Sequence, residues 1–119
     1  MPATADIVIK VGDTNPPVEG RLKDGHNRNV PLGDADTVMF RMRRVNVTDG
    51  LTVEPLEAAA EIVDGVRGDV RYQWTAGDTD TPGLYDADFH VTFDADGSEA
   101  SFPNGRSLVI QIIDTPLMP

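Results

Sequence analysis

Asp86, Asp88 and His90, three side chains able to bind a metal or move a proton, fall at i, i+2 and i+4 of one segment. In an extended chain this spacing puts them on one face, with successive members ~6.7 Å apart. Such a row is too spread to chelate one ion without a neighbouring strand, so it reads as a solvated acidic face. Asp94, Asp96 and Gly97 resemble the opening of a calcium loop. Glu99, however, stands where that loop needs its glycine, and Gly105 where it needs a bidentate glutamate. The segment reads as a polar hairpin tip. His26 and His90 are far apart, and neither has a serine partner in an elbow motif, so no triad is suggested. The chain has no Gly-rich phosphate loop and no HExxH, and no catalytic, cofactor or metal residue is assigned.

Arg67-Gly68-Asp69 matches the integrin-recognition tripeptide, but it follows Asp64-Gly65 and leads into a strand, which makes it a turn. Asn46-Val47-Thr48 is a formal glycosylation sequon, of consequence only in a secreted chain. Arg41, Arg43 and Arg44 form the one basic cluster. On an acidic protein it reads either as a docking patch for an acidic neighbour, another copy included, or as a solvated strand face.

The elements that must position these groups are bounded by composition. The chain has 119 residues, room for one domain. Twenty acidic residues against 10 Lys plus Arg give a formal charge of −10, the wrong sign for a phosphate-binding or anionic-lipid surface. Nucleic acid and membrane are therefore not expected partners. There is no cysteine, which removes disulfides, thiolate metal sites and cysteine nucleophiles. No secretory signal is visible at the start, and no apolar run approaches the roughly 20 residues that span a bilayer. Nine prolines and eleven glycines disfavour a helical bundle.

The dominant pattern is period two. Tyr85, Ala87, Phe89, Val91 and Phe93 alternate with Asp86, Asp88, His90 and Thr92, which predicts a strand with one buried face. The same alternation marks Val38–Phe40–Met42, Val70–Tyr72–Trp74 and Ile7–Ile9–Val11. Residues 108–113 are apolar on both faces except at Gln111, as in a strand covered on both sides. Weaker strand candidates are 18–23, 51–63 and 98–102, with residues 54–62 the one helical competitor. Turn chemistry falls at Asp24-Gly25, at residues 94–97 and at Asn104-Gly105, the last predicting a two-residue hairpin before the final strand. Short strands broken by turns at this spacing predict an all-β, immunoglobulin-like antiparallel sandwich of about seven to nine strands. It would occupy residues 1–114, with 115–119 as an extended tail.

Phe40, Tyr72, Trp74, Tyr85, Phe89 and Phe93 are the expected structural rings. Asp80-Thr81-Pro82-Gly83-Leu84-Tyr85 predicts a tyrosine corner, in which a hydroxyl at the start of a late strand bonds upstream backbone. Trp74 is expected on a neighbouring strand. Leu117 and Met118, the apolar residues of the tail, are expected to clip into an adjacent subunit.

The ordered segments Asp6–Thr14 with Pro16-Pro17, residues 38–43, 68–74, 77–80, 83–89 and 101–104 together resemble a known family. It is that of the immunoglobulin-like domains of tailed-bacteriophage virion proteins, akin to the N-terminal domain of baseplate upper proteins. The resemblance implies a non-enzymatic assembly module of the tail, baseplate or neck. It further implies other virion proteins as partners, a multi-copy or homo-oligomeric state, no cofactor, and residence in the virion after synthesis in the host cytoplasm. The chain departs from the family in showing no fibre-like extension or receptor-binding head, which points to a small accessory virion protein. Two alternatives stand beside it, a capsid decoration protein and a carbohydrate-binding module. The second needs a planar row of exposed aromatics, and the chain has seven aromatics in all.

Overall fold

Alternating apolar residues must bury one face of each strand, and here they do so between two sheets. A computed structural model describes residues 5–103 and 107–114. Among these residues the chain forms nine strands and no helix: β1 (Ile7–Lys10), β2 (Val18–Arg21), β3 (Thr37–Val45), β4 (Leu56–Ala59), β5 (Glu61–Asp64), β6 (Asp69–Tyr72), β7 (Gly83–Thr92), β8 (Glu99–Phe102) and β9 (Leu108–Ile113). The larger sheet runs β1-β9-β7-β3-β4, with β8 also paired to β7, and the smaller runs β2-β6-β5. This is an all-β sandwich of two sheets. One pairing departs from the expected antiparallel pattern, because β1 lies parallel to β9.

The core takes one residue in two from each long strand. Val38, Phe40 and Met42 of β3 face Val18, Val70 and Tyr72 of the smaller sheet, and all are buried. Tyr85, Ala87, Phe89 and Val91 of β7 are buried likewise, whereas Phe93, just past the strand, is only partly buried against the cluster. Phe40 is the hub. Its ring stacks on Tyr72 at 4.6 Å and lies 5.7 Å from Trp74 and 5.5 Å from Phe89. Trp74 is buried but sits beyond β6, on the sheet opposite Tyr85, so it is not on a strand neighbouring Tyr85.

Three local expectations gave way to long-range pairing. Residues 56–64 form neither a helix nor one strand. β4 pairs with β3 in the larger sheet, the chain crosses over at Ala60, and β5 pairs with β6 in the smaller one. The Asn104-Gly105 hairpin is not formed, because β8 and β9 run in the same direction, end to end, along one edge of β7; residues 104–106 themselves lie outside the described residues. β9 is not covered on both sides either: Ile110 and Ile112 are buried, Val109 and Ile113 half-buried, and Gln111 exposed.

The Tyr85 hydroxyl donates to the Thr81 carbonyl at 2.7 Å, closing the corner that leads into β7. Removing the hydroxyl in Tyr85→Phe leaves that carbonyl without its partner, and we expect a loss of about 1–2 kcal/mol. Urea unfolding of the two proteins measures it; an unchanged midpoint would show that water replaces the bond at no cost.

Candidate functional site

Cross-strand register decides which polar groups meet on the outward face of the larger sheet. Arg41 stands opposite Asp88, and its Nε and Nη2 donate to the two carboxylate oxygens, each at 2.8 Å. The same Nη2 reaches Ser101 Oγ at 3.0 Å. Ser101 in turn stands opposite His90, with Oγ 3.0 Å from Nδ1, and His90 Nε2 lies 2.7 Å from Glu99 Oε1. Arg41 can only donate, so the Ser101 hydroxyl accepts from it while also bonding Nδ1, and the Glu99 carboxylate accepts from Nε2. Ser101, His90 and Glu99 thus follow the order of a nucleophile, a base and an orienting acid. Their hydroxyl is spent on a guanidinium, and they lie flat on a strand face. The arrangement is a clasp tying β8 to β7 and β3.

This is where the acidic row of β7 goes. Asp88 is consumed by Arg41 and His90 by Ser101 and Glu99, while Asp86 stands opposite Arg43 without an ion pair among the described residues. No group of three or more His, Asp or Glu able to hold a metal is found among the described residues. Beside the clasp an open trough of about 310 Å³ crosses the face, lined chiefly by Arg41, Arg43, Leu56, Glu57, Asp86 and Asp88. Cations and carboxylates alternate along it, a surface suited to a polar protein rim more than to one small charged ligand.

The three arginines do not form one patch. Arg44 follows Phe40 and Met42 on the inward side of β3, its side chain only 8% exposed. Its two terminal nitrogens grip Asp49 at 2.8 and 2.6 Å, and Nη2 also donates to the Pro82 carbonyl at 2.9 Å. The guanidinium holds the Asp49 carboxyl far below the ordinary carboxylate range, with the Leu51 N–H adding to it. Arg41 is committed to Asp88. Arg43 alone of the three is exposed and without an ion pair among the described residues. Leu117 and Met118 lie outside the described residues.

The other turns are closed by carboxylates as well. Asp36 accepts the Gly33 and Asp94 N–H groups, which depresses its pKa and pins the β7–β8 tip to the 33–36 loop. Asp24 is lowered by the Arg28 and His26 N–H groups, Asp69 by the Arg21 guanidinium, and Asp96 by the Ser98 hydroxyl. A depressed carboxylate stabilises the fold above its unfolded pKa of about 4 and ceases to as pH falls toward the folded value. Tyr72 works in the opposite sense: burial, then its bond to Asp78, pushes the phenol up to about 12. Its contribution is complete below the unfolded value of about 10 and disappears as pH rises through 12. Urea midpoints should therefore be level between about pH 5 and 9 and fall on both sides; an equal midpoint at pH 7 and pH 3 refutes the acid limb.

The Arg67-Gly68-Asp69 tripeptide is locked. Gly68 is buried, and Asp69 is held by Arg21 through two bonds of 2.6 and 3.1 Å. No protein-family model matches this chain, and no curated protein matches it in sequence. What the outward faces can do has to be read from their own chemistry.

The sequence reading missed the clasp and the inward turn of Arg44. The first was reachable, since a hairpin closed over residues 94–97 puts Ser101 opposite His90. The second was not, because arginine at the end of an inward row reads as solvated.

Proposed function

We propose that this chain is a non-enzymatic structural module of a tailed-phage virion, an assembly unit of the tail, baseplate or neck. The observation that carries the reading is how the reactive side chains are spent. Arg21, Arg41, Arg44 and Arg71 clamp carboxylates across strands or loops, and His90 and Ser101 close the clasp. Such wiring makes a rigid body whose remaining resource is surface, which is what an assembly module needs. The motif order shared with phage immunoglobulin-like domains supplies the setting. Against the carbohydrate-binding alternative stands the burial of the rings: six of the seven aromatics are 5% exposed or less, and Phe93 is partly buried, which leaves no planar aromatic platform.

The test is co-purification. Gradient-purified particles should contain the chain at fixed copy number by quantitative mass spectrometry. A count matching the tail's symmetry supports the proposal, one matching the capsid lattice supports the decoration alternative, and absence from particles overturns both.

A further inference from the structure

The strands that border the two sheets are guarded against pairing, with one exception. β1 ends in Lys10, β2 carries Glu19 and Arg21, β5 is broken by a bulge between Ile62 and Asp64, and β8 carries Glu99. Charge and irregularity of this kind keep an edge from adding another chain. β4, the last strand of the larger sheet, is regular in its register on β3 and reads Leu56, Glu57, Ala58, Ala59. Its backbone shows what the open side offers. The Ala60 N–H donates to the Val38 carbonyl at 2.9 Å, and bonding alternates along an antiparallel pair. Ala58 and Leu56 therefore bond β3 as well, and the N–H and C=O groups of Glu57 and Ala59 point away from it. No bond to these four groups is found among the described residues, and Glu57 and Ala59 are both exposed. Beneath the edge, where the chain crosses to β5, a cleft of about 460 Å³ opens between the sheets, lined in part by Leu56, Ala58, Tyr72 and Gln73.

We infer that β4 pairs antiparallel with β4 of a second copy, about a two-fold axis through Ala58. A row of unmet backbone groups is the template for another strand, and β4 is its own complement. Centred on Ala58, the ladder sets Glu57 opposite Ala59 of the mate and Ala59 opposite its Glu57, so all four open groups of each copy are met. Like charges are not directly opposed, and Pro55, which has no N–H, stays outside the bonded pairs. The neighbouring symmetric registers fail. One centred on Glu57 opposes the two glutamates, and one centred on Ala59 needs Glu61, which already pairs with Arg71 in the smaller sheet. The inward row fits too. Leu56, Ala58 and Ala60 pack partly buried against the core cluster, and the axis brings each Leu56 beside the mate's Ala60, over the cleft. The two larger sheets then run on as one. The contact is one strand wide, below the roughly 800 Å² per partner of a standard interface, and each copy carries a charge of −10. The dimer is therefore concentration-dependent, and salt that screens the like charges strengthens it.

Sedimentation equilibrium on the full chain, from low micromolar to submillimolar concentration, tests this without any particle, so its failure leaves the virion reading standing. The wild type should pass from monomer to dimer, and more readily at raised salt. Ala59→Pro removes an outward N–H and no bond to β3, and it should weaken association by about tenfold or more. Ala59→Lys, facing Glu57 of the mate, should strengthen association, and Ala59→Glu should weaken it. Val66→Lys and Val66→Glu change the net charge equally at an 83% exposed position in the β5–β6 turn, and they should move it less. Amide hydrogen exchange reads the ladder directly: the Glu57 and Ala59 N–H groups should exchange freely in dilute protein and gain protection as concentration rises. A wild type monomeric throughout, a dimer in which those two amides stay unprotected, or one indifferent both to Ala59→Pro and to the sign of charge at position 59 would each overturn the inference.

Discussion

Phe40→Ala should lower the stability of this sandwich by about 3–5 kcal/mol, a large share of the roughly 5–15 kcal/mol that holds a domain of this size. Phe40 has no exposed surface and sits mid-strand on β3, between β7 and β4. Its ring touches aromatics from both sheets: Tyr72 and Trp74 across the core, and Phe89 on the adjacent strand. Removing it takes away apolar burial, opens a cavity between rigid strands, and breaks three ring contacts worth about 0.5–1.5 kcal/mol each beyond area. The surroundings cannot collapse into the space without moving Tyr72, whose hydroxyl is tied to Asp78. Phe40→Leu keeps most of the volume and should lose less than half as much. Urea unfolding at pH 7 measures both. A loss under about 1.5 kcal/mol for the alanine variant would mean the core repacks freely, and the hub assigned to Phe40 would be wrong.

The rings that make this hub were legible because period two is a local signal. Tyr85 to Val91 and Val38 to Met42 alternate so regularly that only a strand with one buried face satisfies them. What escaped was decided by partners distant in the chain. Leu56 to Ala60 is alanine-rich and weakly patterned, and only the pairing of Met39, Phe40 and Met42 with Ala59, Ala58 and Leu56 makes it an edge strand. Asn104-Gly105 is a strong hairpin dipeptide, yet β8 and β9 each gain more by extending along β7 than by folding back on each other. Arg44 defeats the pattern for another reason. At the end of β3 the inward position opens onto Asp49 and the Pro82 carbonyl, so a guanidinium can occupy a core-side slot with its charge compensated. The clasp follows the same division: Asp88 and His90 stood out in the sequence as members of one polar face, whereas their meeting with Arg41, Ser101 and Glu99 exists only through register.

Gly68→Ala is the second substitution with a large expected effect, and its cause is backbone meeting backbone. Gly68 turns the chain into β6 with φ of +72°, and a Cβ built there would lie 2.4 Å from the Val30 carbonyl oxygen and 3.3 Å from that of Leu22. Both residues are tied through backbone bonds. The Leu22 carbonyl accepts the Val30 N–H at 2.9 Å, and the Leu22 N–H is itself bonded to the Gly68 carbonyl at 2.9 Å. A shift that admits the methyl group therefore strains the Leu22–Gly68 bond that ties this segment to the β5–β6 turn and the Leu22–Val30 bond within it, beside the buried Leu22 and Leu32. The left-handed conformation alone costs an alanine roughly 1–2 kcal/mol, and forcing an extra carbon into a packed site adds about 1–3 more. Gly50→Ala separates the two contributions. Gly50 has φ of +75° but nothing within 4 Å of the built Cβ, so it should show the conformational penalty only. Chemical denaturation of both variants should place Gly68→Ala well below Gly50→Ala. Equal losses would show that the 22–30 segment yields to the methyl group and is not clamped over the turn.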